Sequence, residues 1–71
     1  MSYKEGEQVQ WNWAYGIASG KIEEKYIKKV TKLIKGTEVT RNADEENPAY
    51  LIIQDDGDKV LKSDSELKKV S

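Results

Sequence analysis

The chain has 71 residues, of which 37% are hydrophobic and 35% are charged, and its formal net charge is −1. This length is enough for one domain with a small core, so we expect a single domain over residues 1–71. The sequence contains no cysteine and no histidine. Their absence excludes disulfides, the usual zinc sites and the nucleophile–histidine pairs of hydrolytic enzymes.

Other kinds of chemistry also lack their usual sequence patterns. Gly16, Gly20 and Gly36 are too widely spaced for a phosphate-binding loop. The acidic residues of segments 44–46 and 55–58 do not follow the ligand spacing of a calcium loop, and their composition is typical of exposed loops and turns. We therefore expect a protein that is not an enzyme and that binds no cofactor or metal.

Membrane insertion and export lack sequence signals. The longest apolar run, residues 49–53, is far shorter than a membrane-spanning helix. The first six residues lack the apolar core of a secretion signal. We expect a cytoplasmic protein with no membrane partner.

The clearest strand pattern follows Gly6. Val9, Trp11, Trp13 and Tyr15 alternate with polar residues, so a strand would place all four large side chains on one face. This alternation predicts a β-strand that begins near residue 8.

Residues 21–34 give conflicting signals. The apolar residues recur at steps of three and four, glutamates come first, lysines come last, and Gly36 stands at a C-cap position. These features favour one amphipathic helix. Most of the apolar residues are nevertheless of types that prefer strands, so the segment alone leaves both structures open. The apolar residues that recur at steps of three and four are Ile22, Tyr26, Ile27, Val30, Leu33 and Ile34.

The next segment predicts two strands on either side of an acidic loop. Residues 38–41 have a β-branched centre, and residues 42–48 are polar with Pro48 at their end. Residues 49–54 are apolar at both alternating positions, which predicts a strand buried on both faces.

The last segment predicts a hairpin and a short helix. Asp56-Gly57 suits a type I′ turn between strand 49–54 and a strand over residues 59–62. Ser63 or Asp64 is a suitable N-cap for a helix over residues 65–69, with Leu67 and Val70 packing inward.

Five blocks in this order resemble the hypervirulence-associated Tudor-domain proteins, a small bacterial family of unknown function. Each block is short, but the ordered set extends over nearly the whole chain. The blocks are GEQVQW at residues 6–11, GKI at 20–22, IKGTEV at 34–39, NPAYLII at 47–53 and SELKK at 65–69.

The resemblance implies a mainly all-β fold, a small SH3-like, Tudor-type β-barrel of about five strands with a short C-terminal helical turn. It implies that residues 21–39 form strands, the first over residues 21–26, with a turn near Lys28-Lys29. No ligand or activity comes with the resemblance. The chain differs from the family pattern at Glu7, where aspartate is usual, and at Trp13 and Tyr15, where smaller or polar residues are expected.

The aromatic residues are the candidate ligand-binding groups. A ring at the rim of a Tudor-type barrel can hold a cation against its face. We expect Trp11 and Tyr50 to fill the core, because a small barrel needs large side chains there. Trp13, Tyr15 and Tyr26 are then the candidate rim site of a module that binds a protein or peptide.

Nucleic-acid binding is the alternative. Residues 21–35 contain six lysines and two glutamates, and Lys25, Lys28, Lys29 and Lys32 could contact phosphates. Residues 36–58 contain one arginine and seven acidic residues, so the two segments could instead pair with each other on adjacent strands. Because the strands are rich in charge, we expect a monomer.

Overall fold

The computed structural model describes residues 3–70 and shows seven strands and one 3₁₀ turn in that range. Met1, Ser2 and Ser71, which the sequence analysis includes in the domain, lie outside the described residues. The elements are β1 (Gln8–Trp13), β2 (Gly16–Tyr26), β3 (Val30–Ile34), β4 (Thr37–Arg41), β5 (Ala49–Gln54), β6 (Lys59–Ser63), the 3₁₀ turn (Asp64–Glu66) and β7 (Lys68–Lys69). The predicted all-β fold with a short helical turn near the C-terminus is confirmed.

The strands form two antiparallel sheets. The larger has the order β6-β5-β2-β1-β7, and the β3–β4 hairpin forms the smaller sheet, which lies against β6. Among the described residues no backbone ladder joins the two sheets, so chain connections and side-chain contacts hold them in a barrel-like arrangement. The central strand β2 has 11 residues and pairs with β1 along its first part and with β5 along its second.

The core cluster combines buried side chains of β1, β2 and β5 with residues outside these strands. Trp11, Tyr50 and Ile52 are among its largest fully buried side chains, which confirms the prediction for Trp11 and Tyr50. Tyr3 and Leu67 close the cluster from the two ends of the described chain. Gly20 lets β2 approach β5 closely, since a Cβ at this position would lie 2.5 Å from the Ile53 carbonyl oxygen.

The helical interpretation of residues 21–34 is wrong. The segment contains the end of β2, a bend and β3, and the ladder of β2 shifts register between Ile22 and Glu24. A bulge of this kind changes which residues face the core, and the bend after Tyr26 changes it again. Two short alternating strands joined in this way imitate the spacing of a helix. The predicted turn near Lys28-Lys29 is confirmed.

The turn between β5 and β6 differs from its prediction. The Gly57 N–H donates to the Gln54 carbonyl at 2.9 Å, and Gly57 has φ +90° while Asp56 does not have a positive φ. This is a type I turn with a glycine bulge, not the predicted type I′ turn. The β3–β4 hairpin has positive φ at both central residues, Lys35 at 52° and Gly36 at 78°, as a type I′ turn requires.

The predicted C-terminal helix is shorter than expected. Only Asp64–Glu66 forms a 3₁₀ turn, in which the Glu66 carboxylate accepts a hydrogen bond from the Ser63 N–H at 2.9 Å. Leu67 packs inward as predicted, but Val70 is exposed, because the chain becomes extended and pairs as β7 with β1.

Candidate binding cleft

Three hairpin turns enclose a cleft at one end of the molecule. The cleft has a volume of about 480 Å³ and lies between the ends of the β1–β2, β3–β4 and β5–β6 hairpins. We call it the hairpin cleft. Its lining includes Trp13, Ala18, Ile34, Gln54, Asp56 and Val60.

Trp13 is exposed because its hairpin extends past the neighbouring strand. Trp11 and Trp13 share one face of β1, yet Trp11 is 1% exposed and Trp13 is 66% exposed. The β1–β2 ladder extends from Trp13 and Gly16, whereas β5 pairs with β2 only from Gly20 onwards. Within residues 3–70, the end of the β1–β2 hairpin therefore has no β5 partner beside it, and Trp13 stays exposed.

Polar contacts hold the three turns together. The Lys35 ammonium lies 2.7 Å from the Asp58 carboxylate, which links the β3–β4 and β5–β6 turns. The hydrogen bond with Asp58 raises the pKa of Lys35. The Ser19 hydroxyl donates to the Asp55 carboxylate at 3.4 Å and links β2 to the same turn. These contacts link the walls of the cleft to one another.

A narrower extension of the cleft, about 200 Å³ in volume, continues between β4 and β6 and includes Arg41 and Lys62 in its lining. Both cations contact Glu66, Arg41 Nε at 3.3 Å and Lys62 Nζ at 3.7 Å. Burial alone would raise the pKa of Glu66, but the Ser63 N–H, Lys62 and Arg41 together lower it. Glu66 thus connects both sheets to the 3₁₀ turn.

The structure separates the three candidate aromatic residues. Trp13 lines the hairpin cleft, and Tyr15 lies in the adjacent turn with 107% relative exposure. Tyr26 is at the other end of β2, where it pairs with Ala49. Ten residues of β2 separate Tyr26 from Gly16, and Tyr26 is not among the residues that line the hairpin cleft. The structure therefore does not bring Tyr26 together with the other two, which the sequence did not reveal.

The four candidate lysines lie on or near the second part of β2. Lys25, Lys28 and Lys29 are exposed, in β2 and in the connection to β3. The Lys32 ammonium lies 5.0 Å from the centroid of the Tyr26 ring. Its pKa is raised, first by the Tyr26 hydroxyl and then by the charges of Glu24 and Glu23. Lys32 is therefore engaged within the protein.

Several cleft residues have no signal in the sequence. Ile34 and Val60 looked like ordinary core residues, and Asp56 like an ordinary turn residue. Glycine patterns indicated two of the turns. That the turns lie close together depends on the packing of the β3–β4 hairpin against β6, which local sequence patterns do not indicate.

The lining of the cleft combines apolar and charged side chains. Within residues 3–70 no cluster of acidic side chains could hold a metal ion, and no helix has the length and apolar character needed to span a bilayer. The cleft offers an indole face, aliphatic side chains and a few charged groups, which recognise a ligand by contact and charge.

A barrel-like β fold with such a cleft is the architecture of a small binding module. The sequence profile described as "Hypervirulence associated proteins TUDOR domain" matches residues 6–67, and the chain belongs to this family. The resemblance noted in the sequence is thus confirmed. Tudor domains in general are non-catalytic binding modules. Comparisons with curated proteins and with solved structures found no match.

Proposed function

We propose that this protein is a non-catalytic module that binds a peptide segment of another protein in the hairpin cleft, with Trp13 and Tyr15 as its main contacts. The observation that carries the proposal is the exposure of Trp13 beside the fully buried Trp11 on the same strand face. A large aromatic side chain that the core does not need is characteristic of binding surfaces.

The chemistry of the cleft favours a peptide that carries a basic residue. The β5–β6 turn has three aspartates, Asp55, Asp56 and Asp58. Two lysines also line the cleft, but Lys35 pairs with Asp58 and Lys59 pairs with Glu23. A lysine or arginine side chain could lie against the indole face of Trp13 by cation–π attraction while its charge faces this turn.

The test is the affinity for a peptide selected against the wild-type protein from a random phage-displayed library. Trp13→Ala should weaken binding at least about tenfold, as loss of a central aromatic contact does, and should leave the unfolding midpoint unchanged. Leu33→Ala is the matched control, because Leu33 is 72% exposed but does not line the cleft. A Trp13→Ala variant that unfolds, or one that binds normally, would contradict the proposal.

Nucleic-acid binding is the second candidate, and the exposure of Lys25, Lys28 and Lys29 supports it. It is the weaker candidate because the Lys32 ammonium lies 5.0 Å from the Tyr26 ring centroid and is thus in contact with the protein itself. Binding of a labelled single-stranded oligonucleotide should weaken steeply as salt is added. No binding at low salt would eliminate this candidate.

A further inference from the structure

The first part of β2 has a free edge. β1 pairs with β2 from Gly16 onwards, but β5 reaches only as far as Gly20, which pairs with Gln54. Beyond Gln54 the chain enters the β5–β6 turn, which contacts this edge through the Asp55 carboxylate that accepts from the Ser19 hydroxyl, and within residues 3–70 the backbone of segment 16–19 gains no ladder there. Among the described residues, segment 16–19 therefore has a strand partner on the β1 side only.

Backbone groups of this edge are available for pairing. Trp13 and Gly16 flank a two-residue loop, and such a flanking pair exchanges both of its hydrogen bonds. Because the pattern alternates along an antiparallel ladder, the N–H and C=O groups of Ile17 and Ser19 point away from β1 and towards the free edge.

The edge also lacks the usual protection against pairing. Edge strands are normally shielded by charged side chains, prolines or bulges. Residues 8–20 contain no charged residue and no proline, although 35% of the chain is charged. The Ile17 side chain is 63% exposed. The premise of the expected monomer, that strands rich in charge prevent edge pairing, does not hold for this segment.

The hairpin cleft lies beside the same edge. Ala18 of β2 lines the cleft, and Gly16 on the same face leaves open space around it. A strand added next to segment 16–19 would lie about 4.8 Å from β2, and alternate side chains of that strand would point into the cleft towards Trp13. Asp56 and Asp58 of the β5–β6 turn line the cleft, where Lys35 is paired with Asp58 and Lys59 with Glu23. Because both lysines already have an acidic partner, the carboxylate of Asp56 favours a basic residue in the added strand.

From this arrangement we infer that the ligand binds as an additional β-strand. An extended peptide with small apolar residues and one basic residue pairs through its backbone with Ile17 and Ser19, and its alternate side chains occupy the hairpin cleft. This inference rests on the proposed function and specifies how the cleft takes its peptide.

The test compares two variants of one edge residue. Ile17→Pro removes the outward N–H but keeps the ladder to β1, because proline is tolerated where the N–H of an edge strand faces outward. Ile17→Thr removes the apolar side chain and keeps the N–H. With the library-selected peptide as probe, Ile17→Pro should weaken binding about tenfold, the effect of a lost hydrogen bond together with steric obstruction. Ile17→Thr should weaken it less than about threefold.

Hydrogen exchange supplies a second measurement, which applies even if Ile17→Pro does not fold. In the wild-type protein the amide protons of Ile17 and Ser19 should exchange more slowly when the peptide is bound. Equal affinity for wild type and Ile17→Pro, or unchanged exchange at both amides, would overturn the strand mode and leave the proposed function intact. Failure to select any peptide would overturn both. Dimerisation that Ile17→Pro abolishes would assign the edge to a second copy of the chain and also overturn the inference.

Discussion

Tyr50 joins the start of the described chain to its C-terminal turn through one buried hydroxyl. The hydroxyl oxygen accepts a hydrogen bond from the Tyr3 N–H at 2.9 Å, and its O–H donates one to the Asp64 carboxylate at 2.9 Å. The rings of Tyr3 and Tyr50 meet edge to face with their centroids 5.6 Å apart. Burial raises the pKa of Tyr50 to about 12.

This hydroxyl predicts how stability depends on alkaline pH. The Tyr50 pKa is 10.0 in its reference state and about 12 in the fold, so the unfolded chain loses its proton first as the pH rises. The contribution of Tyr50 to stability should be fully present below pH 10 and should decline towards pH 12. Tyr50→Phe should remove this part of the decline and cost about 1–3 kcal/mol at neutral pH, because the Tyr3 N–H loses its acceptor.

Urea unfolding at a series of pH values checks this prediction, and Tyr15→Phe is the control because Tyr15 is fully exposed. If Tyr50→Phe and Tyr15→Phe give the same stability at neutral pH, the buried hydrogen bonds do not stabilise the fold as argued.

At the scale of elements, the close approach of β2 and β5 depends on a missing side chain. A Cβ at Gly20 would lie 2.5 Å from the Ile53 carbonyl oxygen and 2.7 Å from a methyl group of Ile52. Backbone cannot move aside as a flexible side chain can. Gly20→Ala should therefore destabilise the fold by about 1–3 kcal/mol, as overpacking does.

Gly16→Ala provides the matched comparison for Gly20. Both glycines are on β2, but a Cβ at Gly16 meets nothing within 4 Å. This second substitution should change the free energy of unfolding by less than about 0.5 kcal/mol or increase it slightly. Chemical denaturation measures both variants, and equal effects at the two positions would contradict the packing argument.

The elements also show what sequence patterns can predict. The alternation in β1, the apolar run of β5 and the glycines of the turns are local signals, and each predicts its element. In residues 21–34 a bulge and a bend combine two strands into the spacing of a helix, so the spacing predicted the wrong structure. The residue types left strands open, and the family resemblance indicated them. Trp13 was a candidate from its residue type, but its place in a cleft depends on where β5 ends, and the absence of Tyr26 from that cleft depends on the length of β2.

For the whole molecule, Glu66 is a connection between the two sheets. Its carboxylate contacts Arg41 of β4, Lys62 of β6 and the Ser63 N–H. These partners lower its pKa below the usual 4.5, against the opposing effect of burial. A carboxylate of this kind stabilises the fold above its unfolded pKa, and that contribution is lost as the pH falls through the lower, folded pKa.

We expect Glu66→Gln to be less stable than the wild-type protein at neutral pH and to lose less stability between neutral pH and pH values below 4.5. Thermal unfolding midpoints measured across this range test the expectation. Glu38→Gln is the control, since Glu38 is exposed on β4. If the unfolding midpoints of wild type and Glu66→Gln fall in parallel as the pH is lowered, the contacts of Glu66 between the two sheets do not account for the loss of stability in acid.

The absence of a ladder between the β3–β4 hairpin and the larger sheet has a consequence for how the cleft responds to its medium. The width of the opening is set partly by the Lys35–Asp58 pair, whose two side chains are substantially exposed. Dissolved ions screen such pairs, so ionic strength acts on the contact between the β3–β4 and β5–β6 turns as well as on any charged ligand. At high salt concentration we therefore expect these two turns to separate more easily, while the apolar packing of the core is unaffected.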